Sequence, residues 1–162
     1  KDGVVKTAAN IDKGFIGLDA ARELGKRLKL PVTVLNDADA AGIAEMSFGA
    51  GKKESGLVVI VTLGTGIGTA LFYRGLLVPN SELGHLEVNG RDAERSASNR
   101  AREKHDMSWK KWSKKVDTYL ERLEQYLWPD LFIIGGGVSK EADKFIPRLS
   151  LDARVVPAKL LN

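Results

Sequence analysis

Two polar residues, Asn36 and Asp37, stand where an apolar run ends and an alanine-rich stretch begins, in the segment PVTVLNDADAAGIAEM. In open α/β sheets, ligands bind in the crevice beyond the carboxyl ends of the strands, which makes Asp37 a candidate catalytic base. Asn and Asp are also preferred helix N-cap residues, and Asp39 could serve as the cap instead. The segment alone therefore supports a base and a cap about equally.

Two glycine-rich turns are candidate phosphate sites. LGTGIG, residues 63–68, lies between two predicted strands, and its glycines allow backbone N–H groups to approach a phosphate closely. IIGGGVS, residues 133–139, precedes a predicted helix, whose free N–H groups favour an anion. A tight hairpin needs glycine for the same conformational reason, so LGTGIG by itself favours the structural interpretation. The two turns together, in a chain with a strand-end carboxylate, favour a phosphate site.

A polar loop, SELGHLEVNGRDAE, carries Glu82, His85, Glu87 and Glu94 in a stretch of little regular pattern. Charged groups on loops are more often functional than those on helix faces, and carboxylates with an imidazole suit hydrogen bonding to sugar hydroxyls. A metal site is the competing interpretation, since His and Glu are ligands. Because the chain has no cysteine and one further histidine, His105, we favour sugar binding and predict no metal ligands.

The elements that must position these residues alternate in type. Apolar spacing predicts a helix over residues 15–30, a buried strand over 32–35 and a second helix over 38–48, the alternation of a parallel sheet. Residues 49–56, GAGKKESG, are the candidate linker or hinge, because they combine glycine and charge without apolar period.

Beyond residue 57 the pattern predicts a meander of three short strands up to residue 78, then helix between 93 and 127. A strand at 131–134, a glycine turn, a helix and a last strand at 154–156 follow. One stripe of the long helix is apolar and aromatic, which indicates core packing rather than a surface that stacks nucleic-acid bases. Its members are Trp109, Trp112, Val116, Tyr119, Leu120, Leu123 and Leu127.

Composition limits the function classes. With 162 residues, of which 43% are hydrophobic, the chain can bury a real core, and no apolar run approaches the roughly 20 residues that span a bilayer. We expect a cytoplasmic protein, an internal portion of a longer chain, with neither a membrane nor a nucleic-acid partner. The formal charge of +4 permits a polyanionic ligand without requiring one.

Four segments in order, LNDADAAGIAE, LGTGIG, ELGH and IIGGGVS, resemble the ROK family of sugar kinases and sugar-responsive repressors. The resemblance implies the actin-like (ribonuclease H-like) two-domain fold of the α/β class. Residues 1–50 would be the remainder of the N-terminal domain, with the Asn-Asp motif, and 51–162 the C-terminal domain. The family's first phosphate loop and its C-terminal helix have no counterpart in this sequence.

Three longer segments are similar to the branch of the family that takes inorganic polyphosphate as donor: TAANID, VPNSELGHLE and DLFIIGGGVSK. NGRDAERSAS, residues 89–98, stands where most members have a cysteine-rich zinc loop. The implied activity is transfer of a phosphoryl group from polyphosphate or ATP, with Mg²⁺, to the 6-hydroxyl of glucose by a homodimer. The alternatives are an ATP-dependent glucokinase or fructokinase, and a non-catalytic sugar-sensing regulator.

The resemblance also implies roles for individual residues. Asp37 matches the general base. The matches to sugar-binding positions are Asn36, Glu82, His85 and Glu94. The matches to phosphate- and nucleotide-binding positions are Gly64, Thr65, Gly66 and Gly68 in the first turn and Gly135, Gly136 and Gly137 in the second.

A cluster of cationic residues between positions 95 and 115 is relevant to the identity of the phosphoryl donor. A polyphosphate chain would release counterions on binding such a surface, as a nucleic-acid backbone does. The competing interpretation is the solvated face of an amphipathic helix, which we favour for the lysines of 110–115. The cations are Arg95, Arg100, Arg102, Lys104, Lys110, Lys111, Lys114 and Lys115.

Overall fold

Apolar strands pair into one five-stranded mixed sheet in the larger of the two compact units into which the chain divides, residues 37–162; the smaller is residues 1–36. The computed structural model describes residues 2–7 and 12–160, so most of the TAANID segment lies outside the described residues. The helices and strands are α1 (Ala20–Leu28), α2 (Asp37–Phe48), β1 (Leu57–Leu63), β2 (Ile67–Tyr73), β3 (Leu76–Val78), β4 (Glu87–Val88), β5 (Arg91–Asp92), α3 (Glu94–Ala97), α4 (Asn99–Lys104), α5 (Trp109–Leu127), β6 (Leu131–Gly135) and β7 (Arg154–Pro157). Short 3₁₀ helices span Lys13–Phe15, Leu83–His85, Gly137–Lys144 and Ile146–Arg148.

The sheet has the order β3-β2-β1-β6-β7. Strands β1, β2 and β3 form the predicted antiparallel meander, while β1 pairs in parallel with β6, and β6 with β7. Strands β1 and β6 are almost wholly buried, which explains their continuous apolar sequences, since strands covered on both faces lose the alternating pattern. The meander and the last strand are confirmed.

Helix α5 covers one face of the sheet with the predicted stripe. Trp112, Tyr119 and Leu120 are fully buried in the larger of two hydrophobic clusters. The helix begins after Ser108, whose hydroxyl accepts the N–H of Lys111 at 3.3 Å. It ends at Leu127, and Trp128 follows in a left-handed conformation before Pro129. The stripe is core, as predicted.

Helix α2 lies along β2 in the same unit. Gly42 faces the strand so closely that a Cβ there would lie 2.7 Å from the Phe72 ring and 2.9 Å from the Cβ of Ala70. The predicted second helix is confirmed, and a glycine in its middle is explained by close helix–strand packing.

Glu45 on α2 is 2% exposed and connects this helix to the turn at Ala50 and to the segment that contains Leu160. Its carboxylate accepts the N–H of Ala50 at 2.7 Å and that of Leu160 at 2.6 Å. Residues 49–56, predicted as a linker or hinge, therefore begin as a turn fixed to α2. The division into domains at residues 50 and 51 stays a prediction.

The smaller unit departs from the predicted elements. Helix α1 begins only at Ala20, because Asp19 caps it by accepting the N–H of Arg22 at 3.0 Å. The strand predicted over residues 32–35 is wrong: within the described part of the chain this stretch joins no strand ladder, and Val34 and Leu35 are exposed. An apolar run needs a hydrogen-bonding neighbour to become a strand.

Two further predictions need correction in the larger unit. The helix expected between residues 93 and 127 is divided into α3, α4 and α5, since Ser98 and Ser108 each cap a new start. The helix expected after IIGGG is the 3₁₀ helix Gly137–Lys144, interrupted at Glu141. Among the described residues, no helix is long and apolar enough to cross a membrane.

We expect Glu45→Ala to lower the free energy of unfolding by about 2–4 kcal/mol, because two backbone N–H groups lose their buried acceptor and a cavity remains. Glu87→Ala, which removes an exposed carboxylate, is the matched control and should change it by less than about 0.5 kcal/mol. Urea unfolding of both variants measures the difference. Equal stabilities would contradict the fastening role of Glu45.

Candidate active site

The two glycine-rich turns leave the same edge of the sheet. Strands β1 and β6 are parallel neighbours, and their register sets Thr62 opposite Gly135, so both turns begin at adjacent carboxyl ends. Gly136, with φ of +82°, passes the first turn so closely that a Cβ would lie 2.6 Å from the carbonyl oxygen of Leu63. The expected crevice beyond the carboxyl ends of the strands thus has glycine on both sides.

The glycines of the two turns serve different purposes. A Cβ at Gly64 or at Gly137 would meet nothing within 4 Å, so the backbone there borders open space. A Cβ at Gly66 would collide with the Glu94 carboxylate, and one at Gly68 would lie 2.9 Å from the Cβ of Ala38. The N–H of Gly64 donates to the carbonyl oxygen of Gly66 at 2.9 Å, so the open space at Gly137 is the place where a phosphate could approach the backbone.

Asp37 is the first residue of α2 and is exposed. Its Oδ1 accepts the N–H of Ala38 at 2.8 Å, and Ala38 is buried against Gly68. The start of α2 therefore lies against the LGTGIG turn, and Asp37 is the residue next to this contact in the chain. Asn36 precedes Asp37 in the chain but belongs to the smaller unit.

Asp39 has a positioning role that the sequence did not reveal. It is 3% exposed, and its Oδ2 accepts the N–H of Asn80 at 3.3 Å. The bond attaches the segment before Glu82 to the first turn of α2. A second acidic residue in LNDADA was the available signal, but it suggested only a helix cap.

Thr69 on β2 holds the polar loop in place. Its hydroxyl donates to the carbonyl oxygen of Ser81 and accepts the N–H of Leu83, both at 3.0 Å. These bonds bracket Glu82, which is exposed. Gly84 then passes β2 so closely that a Cβ would overlap the carbonyl oxygen of Ile67.

Tyr119 on α5 supports the same loop. Its hydroxyl donates to the carbonyl oxygen of Leu83 at 3.2 Å, and burial raises the pKa of this phenol far above its ordinary value. The ring is fully buried, so α5 contributes a fixed hydrogen-bond donor beneath the loop. The side chain is a neutral donor at any physiological pH.

His85 pairs with Asp92, a residue that sequence analysis did not single out. The Nδ1–H of His85 donates to Asp92 Oδ2 at 2.9 Å, and Asp92 Oδ1 accepts the N–H of Glu94 at 2.9 Å. The bond to Asp92 raises the pKa of His85, and the nearby charges of Glu94 and Glu82 act in the same direction. The only signal in the sequence was an acidic residue in NGRDAE, two positions before Glu94.

Glu94 links the polar loop to the first glycine turn. Its Oε2 accepts the N–H of Ile67 at 3.0 Å, and it lies against Gly66. The larger unit therefore brings Asp37, Glu82, His85 and Glu94 to the region around β2 and its turns. Sugar contact by these four side chains stays a prediction, as does phosphate contact by the glycines and Thr65.

Metal ligation receives no support from the described residues, which contain no group of three or more His, Cys, Asp or Glu side chains able to hold an ion. His85 uses Nδ1 for Asp92, and Glu94 uses one oxygen for a backbone N–H. The paired carboxylates and imidazole are arranged for hydrogen bonding.

Comparison with known proteins identifies the family of this chain. The family model of the ROK family matches residues 1–105. The chain belongs to the ROK family. Its expected fold class, the actin-like α/β fold of this family's sugar kinases, is shown by the structural matches.

The relatives are similar over nearly the whole chain. The polyphosphate glucokinase of Mycobacterium tuberculosis is 53% identical over 161 residues, covering 99% of this chain and 61% of the relative. The crystal structure of the inorganic polyphosphate/ATP-glucomannokinase from Arthrobacter sp. strain KM matches with a TM-score of 0.94 and 50% identity, over 100% of this chain and 64% of that one.

A ROK family glucokinase from Streptomyces griseus, in complex with glucose and AMPPNP, matches with a TM-score of 0.81 at 24% identity, over 99% of this chain and 73% of that one. This likeness shows the fold alone. The chain spans about three fifths of the length of the M. tuberculosis relative.

We expect Asp92→Asn to lower the pKa of His85, because the amide retains an acceptor for the Glu94 N–H but loses the charge that favours the imidazolium. Because the pKa of His85 is raised in the folded protein, its bond to Asp92 stabilises the folded loop fully at a pH below the ordinary histidine pKa of about 6.5. This stabilisation is lost as the pH rises through the raised pKa. NMR titration of the His85 ring measures the change, with His105 in the same spectra as reference. An unchanged His85 titration would exclude Asp92 as the cause.

Proposed function

We propose that the whole protein containing this chain is a polyphosphate-dependent glucokinase, which transfers a phosphoryl group from inorganic polyphosphate, and from ATP, to the 6-hydroxyl of glucose. The observation that supports the proposal is the packing of Ala38 against Gly68, because it brings the start of α2, which begins with Asp37, to the LGTGIG turn. The similarity to the M. tuberculosis polyphosphate glucokinase and to the Arthrobacter polyphosphate/ATP-glucomannokinase supports both the acceptor and the donor.

The proposed mechanism gives Asp37 the role of general base. Its carboxylate orients the 6-hydroxyl of glucose for attack on phosphorus and accepts the hydroxyl proton late, as the oxygen–phosphorus bond forms. The transition state of phosphoryl transfer is loose, with its charge on the phosphoryl oxygens. Backbone N–H groups of the Gly135–Gly137 turn, where Gly137 borders open space, are the donors we assign to those oxygens.

The polar loop would hold the sugar. Glu82 is an exposed acceptor next to residues fixed by Thr69, and His85 keeps a constant orientation through its bond to Asp92. Glu94 joins this loop to the glycine turn, so a sugar bound here would be positioned relative to the phosphoryl group. Asn36, directly before the base in sequence, is a further proposed sugar contact.

Mg²⁺ would accompany the donor. This ion usually keeps several waters and binds substrate phosphates with one or two carboxylates, so it needs no cage of protein ligands. Since Asp37 serves as the base in this mechanism, the donor phosphates and water would supply the ligands of the ion. Bound Mg²⁺ would neutralise charge on the phosphoryl oxygens. A homodimer and a cytoplasmic location stay predictions.

We expect Asp37→Asn in the whole protein to lower kcat by about a hundredfold or more, because a positioned base contributes roughly 10²–10⁴ in rate. Glucose affinity should stay within several-fold, since the amide retains the shape and a hydrogen-bonding oxygen. Steady-state assays and calorimetric glucose titration separate the two effects. Asp143→Asn, at an exposed carboxylate, is the control, and a fully active Asp37→Asn enzyme would refute the assignment.

A second prediction concerns donor and acceptor. In a coupled assay with ATP and with long-chain polyphosphate, over glucose, mannose and fructose, we expect glucose to be phosphorylated with both donors and polyphosphate to give the higher kcat/KM. Turnover with ATP alone would favour an ATP-dependent glucokinase or fructokinase. Sugar binding without turnover from either donor would favour the sugar-sensing regulator.

A further inference from the structure

A cleft of about 430 Å³ lies beside the first glycine turn, on the side formed by α3 and α4. Thr65, the exposed tip of LGTGIG, forms one wall. Its cationic walls come from Arg95, Arg100 and Lys104, and His105 completes that side. Glu94, already engaged with the Ile67 N–H, is the acidic residue of the lining. The cleft is therefore a positively charged extension of the proposed phosphate site.

The cations of the cleft are available to a ligand. Within the described part of the chain, Arg95, Arg100 and Lys104 form no salt bridge, and all three are exposed. Arg102, on α4 with Arg100 and Lys104, has partners within the chain. Its Nε donates to Asn99 Oδ1 at 3.0 Å, and its guanidinium lies 4.2 Å from the centre of the Trp109 ring. Three cations and one carboxylate around one cavity leave a net positive charge, which favours an anion with more than one charge.

The wall of the cleft is fixed to the glycine turn. The N–H of Arg100 donates to the carbonyl oxygen of Gly64 at 3.1 Å. Ser98 caps α4, and its carbonyl oxygen accepts the indole N–H of the fully buried Trp112 at 3.1 Å. The backbone that carries the cations is therefore tied to the turn, and an anion in the cleft keeps a constant position relative to Thr65.

The chemistry of the lining favours an inorganic chain over a nucleoside. Apart from the imidazole of His105, none of the residues that line the cleft is aromatic, so an adenine ring would find little to stack on. A chain of phosphates needs what the cleft supplies, namely cations and a hydroxyl along an open path. Arginine binds phosphate oxygens in pairs, and lysine binds them as a point charge.

We propose that this cleft binds the trailing phosphates of an inorganic polyphosphate donor, with Thr65 at the end nearest the transferred group and Arg95, Arg100 and Lys104 along the chain. The inference rests on the proposed function and assigns the donor a site. It also divides the cationic cluster of residues 95–115, since Lys110, Lys111, Lys114 and Lys115 do not line the cleft. These four lysines form the exposed face of α5.

The test compares two double variants of the whole protein with the same loss of two positive charges. Arg100→Gln with Lys104→Gln removes cations from the cleft, whereas Lys111→Gln with Lys115→Gln removes them from α5 and is the control. We expect the cleft variant to raise KM for long-chain polyphosphate about tenfold at 0.1 M salt and to reduce the slope of log KM against log salt by roughly one to two. KM for glucose, kcat and the KM for ATP should stay within about twofold in both variants.

Donor length provides a second readout. The effect of the cleft variant should shrink from long-chain polyphosphate to tripolyphosphate, because a donor with fewer phosphates would contact fewer of the cations. A single Arg100→Lys variant keeps the positive charge, so its KM for long-chain polyphosphate should lie much nearer to that of the unchanged protein than to that of the cleft variant. A general loss of folding would instead change the KM for every substrate to a similar extent, and circular dichroism would detect the loss.

The outcomes separate this inference from the proposed function. Turnover from polyphosphate with an unchanged KM in the cleft variant would overturn the cleft and leave the function standing. An equal loss in the α5 control, or an equal rise in the KM for ATP, would also overturn it. Calorimetric binding of long-chain polyphosphate without glucose tests the cleft even in a protein that uses ATP alone, where binding that survives the loss of Arg100 and Lys104 counts against it.

Discussion

The parallel pairing of β1 with β6 is the constraint on which the candidate site depends. Because Thr62 stands opposite Gly135, two segments more than 60 residues apart in sequence end at the same edge of the sheet and continue as glycine turns. Parallel neighbours have no hairpin to join them, so their register depends on apolar residues buried on both faces. Loss of that register would separate the turns, whatever the residues within them.

Side chains that bond to the backbone fix the rest of the site. The polar loop has little regular structure, yet Thr69 and Tyr119 hold the backbone around Leu83, and Asp39 holds Asn80. Each of these three side chains is buried, so a broken bond would leave an unsatisfied polar group, which costs about 1–3 kcal/mol. An irregular loop can then present Glu82 and His85 in constant positions, as a binding site requires.

Sequence patterns predicted the elements whose stability is local or fully buried. Strands β1 and β6 were readable as continuous apolar runs, and α5 from a stripe that recurs every three or four residues. The prediction of a strand over residues 32–35 was wrong, because a strand forms only with a hydrogen-bonding neighbour. The residues of the strand itself do not encode that neighbour. The same limit applied to the site, where the Asp37 motif was visible but the pairing of His85 with Asp92 required the loop to fold back on itself.

The departures from regular structure coincide with the residues of greatest functional interest. One uninterrupted helix from 93 to 127 would have kept the N–H of Arg100 inside its own hydrogen-bonding pattern, unable to reach the carbonyl oxygen of Gly64. The break at Ser98 frees that N–H because the first four N–H groups of a helix have no partner within it. The interruption that sequence periodicity did not predict thus joins α4, which carries Arg100 and Lys104, to the glycine turn. A regular helix is interrupted here at the place where the site needs a backbone N–H group. An interruption of this kind in a helix or strand is therefore informative about function.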